Sequence, residues 1–317
     1  MDFVCFTLIV DDLVFPDGST RMEVVGGGGP QTLWGYLLCS GAGARVGLAA
    51  GVGDDLPASC SGWLSGIGVD LKGLLRTERA TPRAWQVLEE DGRRTQVWRT
   101  EACPELFAML RPCMGDTPTD YQDARAFHIG VHPERPDWPL LEELGARTRA
   151  CGGLLSVEPF THALGIVGRT DVERLLAAGD IFSPNEKEAA SIVGPGGAEE
   201  LVERMVEAGA KIVCLRRGGD GCMVYDAKTR EGWVVPAVAG AAVVDVTGCG
   251  NSFCGAFAAA VQRGRGLREA GAWGCVAGSL MMGEVGVPLA GMEELREVAA
   301  SRVQQLLEQA RPLAISL

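Results

Sequence analysis

Lysine is scarce in this chain: Lys72, Lys187, Lys211 and Lys228 are the only four among 29 basic residues. No Lys/Arg run occurs and the formal net charge is −12, so neither nucleic acid nor an anionic membrane surface is an expected partner. Histidine is rarer still, with His128, His132 and His162 alone. The 11 cysteines contain no C-x-x-C pair, and no cysteine pair accompanies the two neighbouring histidines, so the ligand spacing of a structural zinc site is missing. An odd number of scattered cysteines fits reduced, mostly buried thiols and a cytoplasmic setting. No apolar run approaches the ~18 residues of a membrane span. The apolar stretch Met1 to Val10 stops at Asp11-Asp12 without a basic flank or a cleavage site, and so reads as a buried strand rather than a signal peptide. The phosphate-binding string G-x-x-x-x-G-K-[ST] is also missing, which excludes a P-loop. Neither a Pro/Ser-rich linker nor an internal repeat divides the chain.

What is present is a globular composition rich in glycine. Apolar residues make up 47% of 317 positions, enough to bury a core without disulfides or metals. The 44 glycines cluster in short strings with no collagen period, as tight turns and close backbone approaches require. Phe3–Val10 and Arg21–Val25 have strand character, and a helix is expected over Thr32–Cys39 after Pro30. Ala44–Ala50 reads as a small apolar strand. Ala84–Glu89 and Arg94–Arg99 flank Asp91-Gly92, a hairpin signal. From Ala126 onward strands (Ala126–Val131, Leu154–Val157, Ile181–Ser183, Lys211–Leu215, Cys222–Tyr225) alternate with helices (Leu140–Ala150, Asp171–Ala178, Glu186–Val193, Ala198–Ala208). Such alternation predicts a mostly parallel sheet covered on both faces.

The most informative string is Val243-Val244-Asp245-Val246-Thr247-Gly248-Cys249-Gly250-Asn251-Ser252-Phe253. A strand is expected to end near Asp245 and a helix to begin near Asn251, with Phe253, Ala256, Phe257, Ala260 and Val261 on one face. Glycines just before a helix let successive N–H groups converge on an anion, and the helix dipole adds to the attraction. An ordinary Gly-rich turn has the same composition, so the string alone leaves both readings open. A dinucleotide fold is disfavoured, because Phe253 stands where its third glycine belongs and no ribose-binding acid follows.

Five strings in chain order resemble the PfkB/ribokinase family of small-molecule kinases. They are Gly26-Gly27-Gly28-Gly29, the stretch from Gly43-Ala44-Arg45-Val46 to Val52-Gly53-Asp54-Asp55, Asn185-Glu186-Lys187-Glu188, Gly218-Gly219-Asp220-Gly221 and Asp245 to Asn251. The resemblance implies an α/β, ribokinase-like fold: one domain over 1–317, a mostly parallel central sheet with helices on both faces, and a small β lid from about 12–25 and 82–100. It implies ATP and magnesium as cofactors, with a monovalent cation as an optional third, and a sugar, polyol or nucleoside as substrate. The N–H groups of Gly248, Cys249, Gly250 and Asn251 would surround the transferring phosphate. Asn185 and Glu188 would organise magnesium through water. Arg216, Gly218, Gly221, Ser279 and Gly283 would line the nucleotide. Asp12, Gly27, Gly28 and Gln31 would face the substrate, and the lid offers a surface for a homodimer.

The departures matter equally. Gln31 and Thr32 occupy the region where the family usually has a substrate-binding Asn. Ser156-Val157-Glu158-Pro159 replaces an Asp-Pro-Asn-like string, and Asn251 replaces the Asp that acts as general base. The chain resembles divergent eukaryotic members of the family that carry a similar Gly-Gly-Gly-Gly and Gly-x-Gly-Asn pairing. Two functions therefore stand side by side: a kinase weakened at Asn251, or an inactive nucleotide- or sugar-binding protein acting through a partner. Several of these positions also have plain structural readings. Glu188 suits a solvated helix surface, Asp54 and Asp55 suit turns and caps, Trp85 and Trp98 suit lid packing, and Arg216-Arg217 suits an exposed pair.

Overall fold

The computed structural model describes residues 1–90 and 94–315. Strands made of near-continuous apolar runs build the central sheet, as expected where both faces are covered. The strand order is Arg311–Pro312, Glu231–Val235, Cys222–Asp226, Ile212–Arg216, Ile181–Phe182, Leu154–Pro159, Ala126–Val131, Phe3–Phe6, Val46–Val52, Val69–Asp70. Pairing is parallel from Val69–Asp70 through to Ile212–Arg216 and antiparallel beyond it. One face packs on Gly28–Ser40, Cys249–Gln262, Leu267–Met281 and Met292–Gln309; the other packs on Trp138–Cys151, Arg169–Ala178, Glu186–Val193 and Ala198–Glu207. Among the described residues, no helix is long and apolar enough to cross a membrane.

A second sheet has four strands in the order Thr20–Gly26, Ile9–Val14, Arg83–Leu88, Arg94–Trp98. Leu88 pairs with Arg94 in an antiparallel ladder. The expected Asp91-Gly92 turn lies outside the described residues.

The stretch Phe3–Val10, expected as one strand, is divided between the two sheets. Thr7 adopts φ 76° and breaks the ladder, and its carbonyl accepts the Gly29 N–H at 3.1 Å. Gly27 (φ 84°) lies so close that a Cβ there would be 2.7 Å from that same carbonyl oxygen. The tetraglycine turn thus presses on the break, and Ile9–Val14 leaves for the small sheet.

The strand expected to end near Asp245 does not form. Val243, Val244 and Val246 are 68%, 49% and 42% exposed, and the N–H groups of Val244 and Asp245 donate to the Met282 carbonyl instead of a strand partner. Asp245 is buried and its carboxylate accepts the N–H groups of Thr247 (2.8 Å) and Gly286 (2.9 Å), which shapes the approach to the glycine turn.

Two helices that carry the turns meet backbone to backbone. A Cβ on Gly35 would lie 2.0 Å from the Ser252 carbonyl oxygen, and one on Gly255 would lie 1.8 Å from that of Thr32. Only glycine at both positions permits this approach, which brings Gln31 to Asn251.

Candidate active site

The helix Cys249–Gln262 begins two residues earlier than the sequence suggests, with Gly248 as its N-cap at φ 81°. A side chain at Gly248 would also collide with the Gln31 carboxamide, 2.6 Å away. No acceptor among the described residues takes the N–H groups of Gly250 and Asn251, as is usual in the first turn of a helix. They face a cleft of about 710 Å³ that also takes in the tetraglycine turn, the small sheet and the carboxyl ends of the parallel strands. Open α/β sheets commonly hold ligands at that end.

Gly27, Gly28, Gln31, Asn185, Glu188, Arg216, Gly248, Gly250 and Asn251 are brought together on this cleft. Asn251 donates from Nδ2 to Gln31 Oε1 at 2.7 Å, and its Oδ1 lies 3.8 Å from where a Gly28 Cβ would be. Cys249 flanks the turn without lining the cleft, and burial pushes its thiol up to about 12, so it is no thiolate nucleophile.

Arg216 is not an exposed residue. Its guanidinium pairs with Glu158 (Nη1–Oε1 3.0 Å) and Glu188 (Nη2–Oε2 3.2 Å) and donates to the Ser183 carbonyl at 2.9 Å. A Cβ on Gly250 would lie 2.0 Å from Nη1, so the cation is seated against the glycine turn. Its Nε is buried and has no protein acceptor. His128 continues the network, with Nε2 3.3 Å from Glu158 Oε2 and Nδ1 3.0 Å from Ser156 Oγ. Burial raises the Glu158 carboxyl, but Arg216 and His128 outweigh it and hold the group down at about 2. For Glu188 burial prevails over the pull of Arg216 and the Asn185 N–H, and the group rises to about 7. One full negative charge thus matches the guanidinium, and the second carboxyl titrates near neutrality.

Glu188 also closes a capping box with Asn185: Glu188 N–H donates to Asn185 Oδ1 (2.9 Å) and Asn185 N–H donates to Glu188 Oε2 (2.7 Å). This local motif fixes the carboxylate at the cleft rather than on a solvated surface. Magnesium commonly keeps its waters and takes one or two carboxylates plus substrate phosphates. A buried Glu188 on the same cleft as the Gly248 turn fits that pattern, although Arg216 already holds its Oε2. Among the described residues, no cluster of three or more His, Cys, Asp or Glu forms a cage for a metal by itself.

Asp12 is placed differently from expectation. It is fully buried in the small sheet, where its oxygens accept from Arg83 (2.7 and 2.9 Å), Arg99 and the Glu23 N–H. The carboxyl on the cleft is that of its neighbour Asp11, because successive residues of a strand face opposite ways. Asp11 accepts from Gln86 Nε2 at 2.8 Å and lies where a Gly26 side chain would otherwise be. Burial pushes it up to about 7, against that hydrogen bond.

Gly218, Gly221, Ser279 and Gly283 do not line the cleft. Ser279 is buried and donates to the Val276 carbonyl, while the adjacent Gly278 packs against the Cys249 carbonyl and so backs the turn. Asp55 accepts from Thr81 and acts as a loop tie. Trp98 lines the cleft, and Trp85 lies under the Arg99 guanidinium. Asp11, His128, His132, Glu158, Arg111 and Arg135 are cleft residues that motif reading passed over. The Ser156 to Pro159 departure was a signal for Glu158; the others come from separate segments that only the fold unites.

The pfkB family carbohydrate kinase model matches residues 19–293. A cytidine kinase of Thermococcus kodakarensis is 31% identical over 261 residues, covering 82% of this chain and 88% of that protein. The adenosine kinase of Sinorhizobium meliloti superposes with a TM-score of 0.75 at 19% identity, covering 94% of this chain and 98% of that one. For Arabidopsis thaliana ribokinase complexed with ribose and ATP the values are 0.71 and 17%, with 96% and 99% covered. The architecture is thus the ribokinase-like α/β fold.

Proposed function

The chain belongs to the pfkB family of carbohydrate kinases, and from that premise we propose that it transfers a phosphoryl group from ATP to a hydroxyl of a sugar, polyol or nucleoside, slowly. The observation that carries this reading is the placement of Asn251 at the Gly248 turn, whose N–H groups at Gly250 and Asn251 have no acceptor among the described residues, on a cleft that also holds Asp11 and Arg216. The N–H groups and Arg216 would take the charge of the transferring phosphate. The Asn251 carboxamide, oriented by Gln31, would position the attacking hydroxyl. Asp11 would hold a second hydroxyl, and the four-stranded sheet would act as the lid that excludes water. Magnesium, when bound with the nucleotide, supplies charge neutralisation of the phosphates. Glu188 would then hold one of its waters. Eleven cysteines without a disulfide fit the reducing cytoplasm as the setting.

A carboxamide cannot take the proton from that hydroxyl at neutral pH. Asp245 does not replace it, because it is buried and does not line the cleft, and its oxygens accept the Thr247 and Gly286 N–H groups instead. A general base contributes ~10²–10⁴-fold, so Asn251→Asp is expected to raise substrate-dependent ADP release by about two decades or more. The assay uses sugars, polyols and nucleosides with Mg·ATP. High native turnover that Asn251→Asp leaves unchanged would show that the base lies elsewhere. The burial of Asp245 away from the cleft also favours a second reading, a binding protein without turnover. ATP binding with no ADP release from either form supports that alternative.

A further inference from the structure

The cleft holds more positive charge than its own carboxylates use. Arg83 and Arg99 are spent on Asp12 within the small sheet. Arg216 is matched by Glu158 and Glu188. Three further arginines line the cleft: Arg94 from the small sheet, Arg111 at the end of the helix Pro104–Leu110, and Arg135 after the strand Ala126–Val131. None of the three guanidiniums has a hydrogen-bonded or ion-paired carboxylate among the described residues.

Arg111 is the most telling. It is half-buried, its guanidinium lies 5.8 Å from the centre of the Phe160 ring, and desolvation lowers its affinity for its proton. Asp137 is the carboxylate that acts on it through space, and that group already caps the helix Trp138–Cys151 by accepting the Leu140 N–H at 3.3 Å. Arg135 has Glu134 as its neighbour, but the Glu134 carboxylate accepts the Leu164 and Gly165 N–H groups. His132 stands with them: its Nδ1 accepts the Glu134 N–H at 3.2 Å, which leaves Nε2 as the protonated, donating nitrogen of the neutral ring. Burial first, then the fields of Arg135 and Arg111, lower the pKa of His132, so all three groups share one region. Arg94 acts on Asp11 and Cys249, which places it over the transfer end of the same cleft.

Half-burying a guanidinium without an acceptor is unfavourable unless a ligand supplies one. Planar, multiply donating guanidiniums match a phosphate ester in particular. We propose that the substrate is itself a phosphate monoester, a phosphorylated sugar or nucleoside, whose anionic group is seated on Arg111 and Arg135 with His132 as a further donor. Arg94 closes the charge balance from the small sheet once the second phosphate, that of the nucleotide, enters. This inference rests on the kinase reading for the site's purpose, but not for its ligand chemistry. It explains why the cleft is richer in cations than a neutral sugar needs.

The test measures binding without nucleotide, by calorimetry, for the pairs ribose and ribose 5-phosphate, fructose and fructose 6-phosphate, and cytidine and cytidine 5′-monophosphate. In at least one pair the phosphorylated member is expected to bind about tenfold tighter or more, with the preference shrinking as salt is raised. Arg111→Gln is expected to remove most of that preference while leaving the unphosphorylated partner's affinity unchanged. The more exposed Arg135→Gln repeats the measurement where Arg111→Gln fails to fold. Equal or weaker binding of every phosphorylated member overturns the proposal, as does binding by none of them. An equal loss for both members of a pair in the variants overturns it too. ADP release is read separately: phosphate-ester binding without turnover sustains this inference and removes the kinase reading. Turnover on unphosphorylated compounds with no preference for phosphate does the reverse.

Discussion

Asp11 shows how one residue of register decides a role. In Asp11-Asp12 both side chains are buried, yet one is salt-bridged and the other is nearly alone with Gln86. Arg83, the Glu23 N–H and Arg99 hold Asp12 below its ordinary range in spite of burial, whereas burial lifts Asp11 to about 7. An acid whose folded pKa is raised binds its proton in the folded state while the unfolded chain has already lost it. Stability therefore falls as pH rises from about 4 to 7, and it levels off above. Glu188 acts in the same sense over the same window. Glu158, held at about 2, acts in the opposite sense, but only below about 4.5. Asp11→Asn should consequently flatten the decline in urea-unfolding free energy between pH 4.5 and 7.5. The gain at pH 7.5 is bounded by about 4 kcal/mol, from roughly three pKa units. An unchanged pH profile in Asp11→Asn would show that the carboxyl titrates normally.

At the scale of elements, the active geometry depends on two helices touching through glycine. The Gly28–Ser40 helix carries Gln31 and the Cys249–Gln262 helix carries Asn251, and the Gly35 and Gly255 contacts set their separation. Gly255→Val would force the Thr32 carbonyl away, and overpacking of this kind costs about 1–3 kcal/mol or more. The expected outcome is a lower urea midpoint together with weakened substrate binding, since the Gln31–Asn251 hydrogen bond moves with the helices. A variant with native stability and native binding would mean that the helices tolerate a wider spacing. Elements with strong local signals were legible in the sequence: the helices Glu186–Val193 and Ala198–Glu207 and the strands Ala126–Val131 and Leu154–Pro159 fall where periodicity placed them. Elements decided by distant partners were not. Val243 to Val246 has the composition of a strand but no neighbour to pair with, and Met282 takes its N–H groups instead. Phe3–Val10 reads as one apolar run, and only contact with the tetraglycine turn divides it.

For the whole molecule, the parallel sheet gathers the carboxyl ends of its strands, and this makes one cleft from segments more than a hundred residues apart. The glycine strings, Asn185, Glu188 and Asn251 carry sequence signals because backbone approach and capping demand particular residue types locally. Glu158 is marked only by the departure at Ser156 to Pro159, and His128, Arg111 and Arg135 carry no signal, because each is an ordinary residue until the topology brings it to the cleft. The Gly250–Arg216 contact sets a motif glycine of the helix Cys249–Gln262 against a cation from the strand Ile212–Arg216. The central claim is that this junction holds the phosphates of ATP. It is tested most directly by calorimetric titration of Mg·ATP into the native protein and into Gly250→Ala, with thermal melts to establish that both are folded. The native protein is predicted to bind, and a folded Gly250→Ala, whose methyl displaces Arg216 and narrows the turn, is predicted to bind at least about tenfold more weakly, a difference of ~1.4 kcal/mol. No binding by the native protein, or equal affinity in both, would contradict the account.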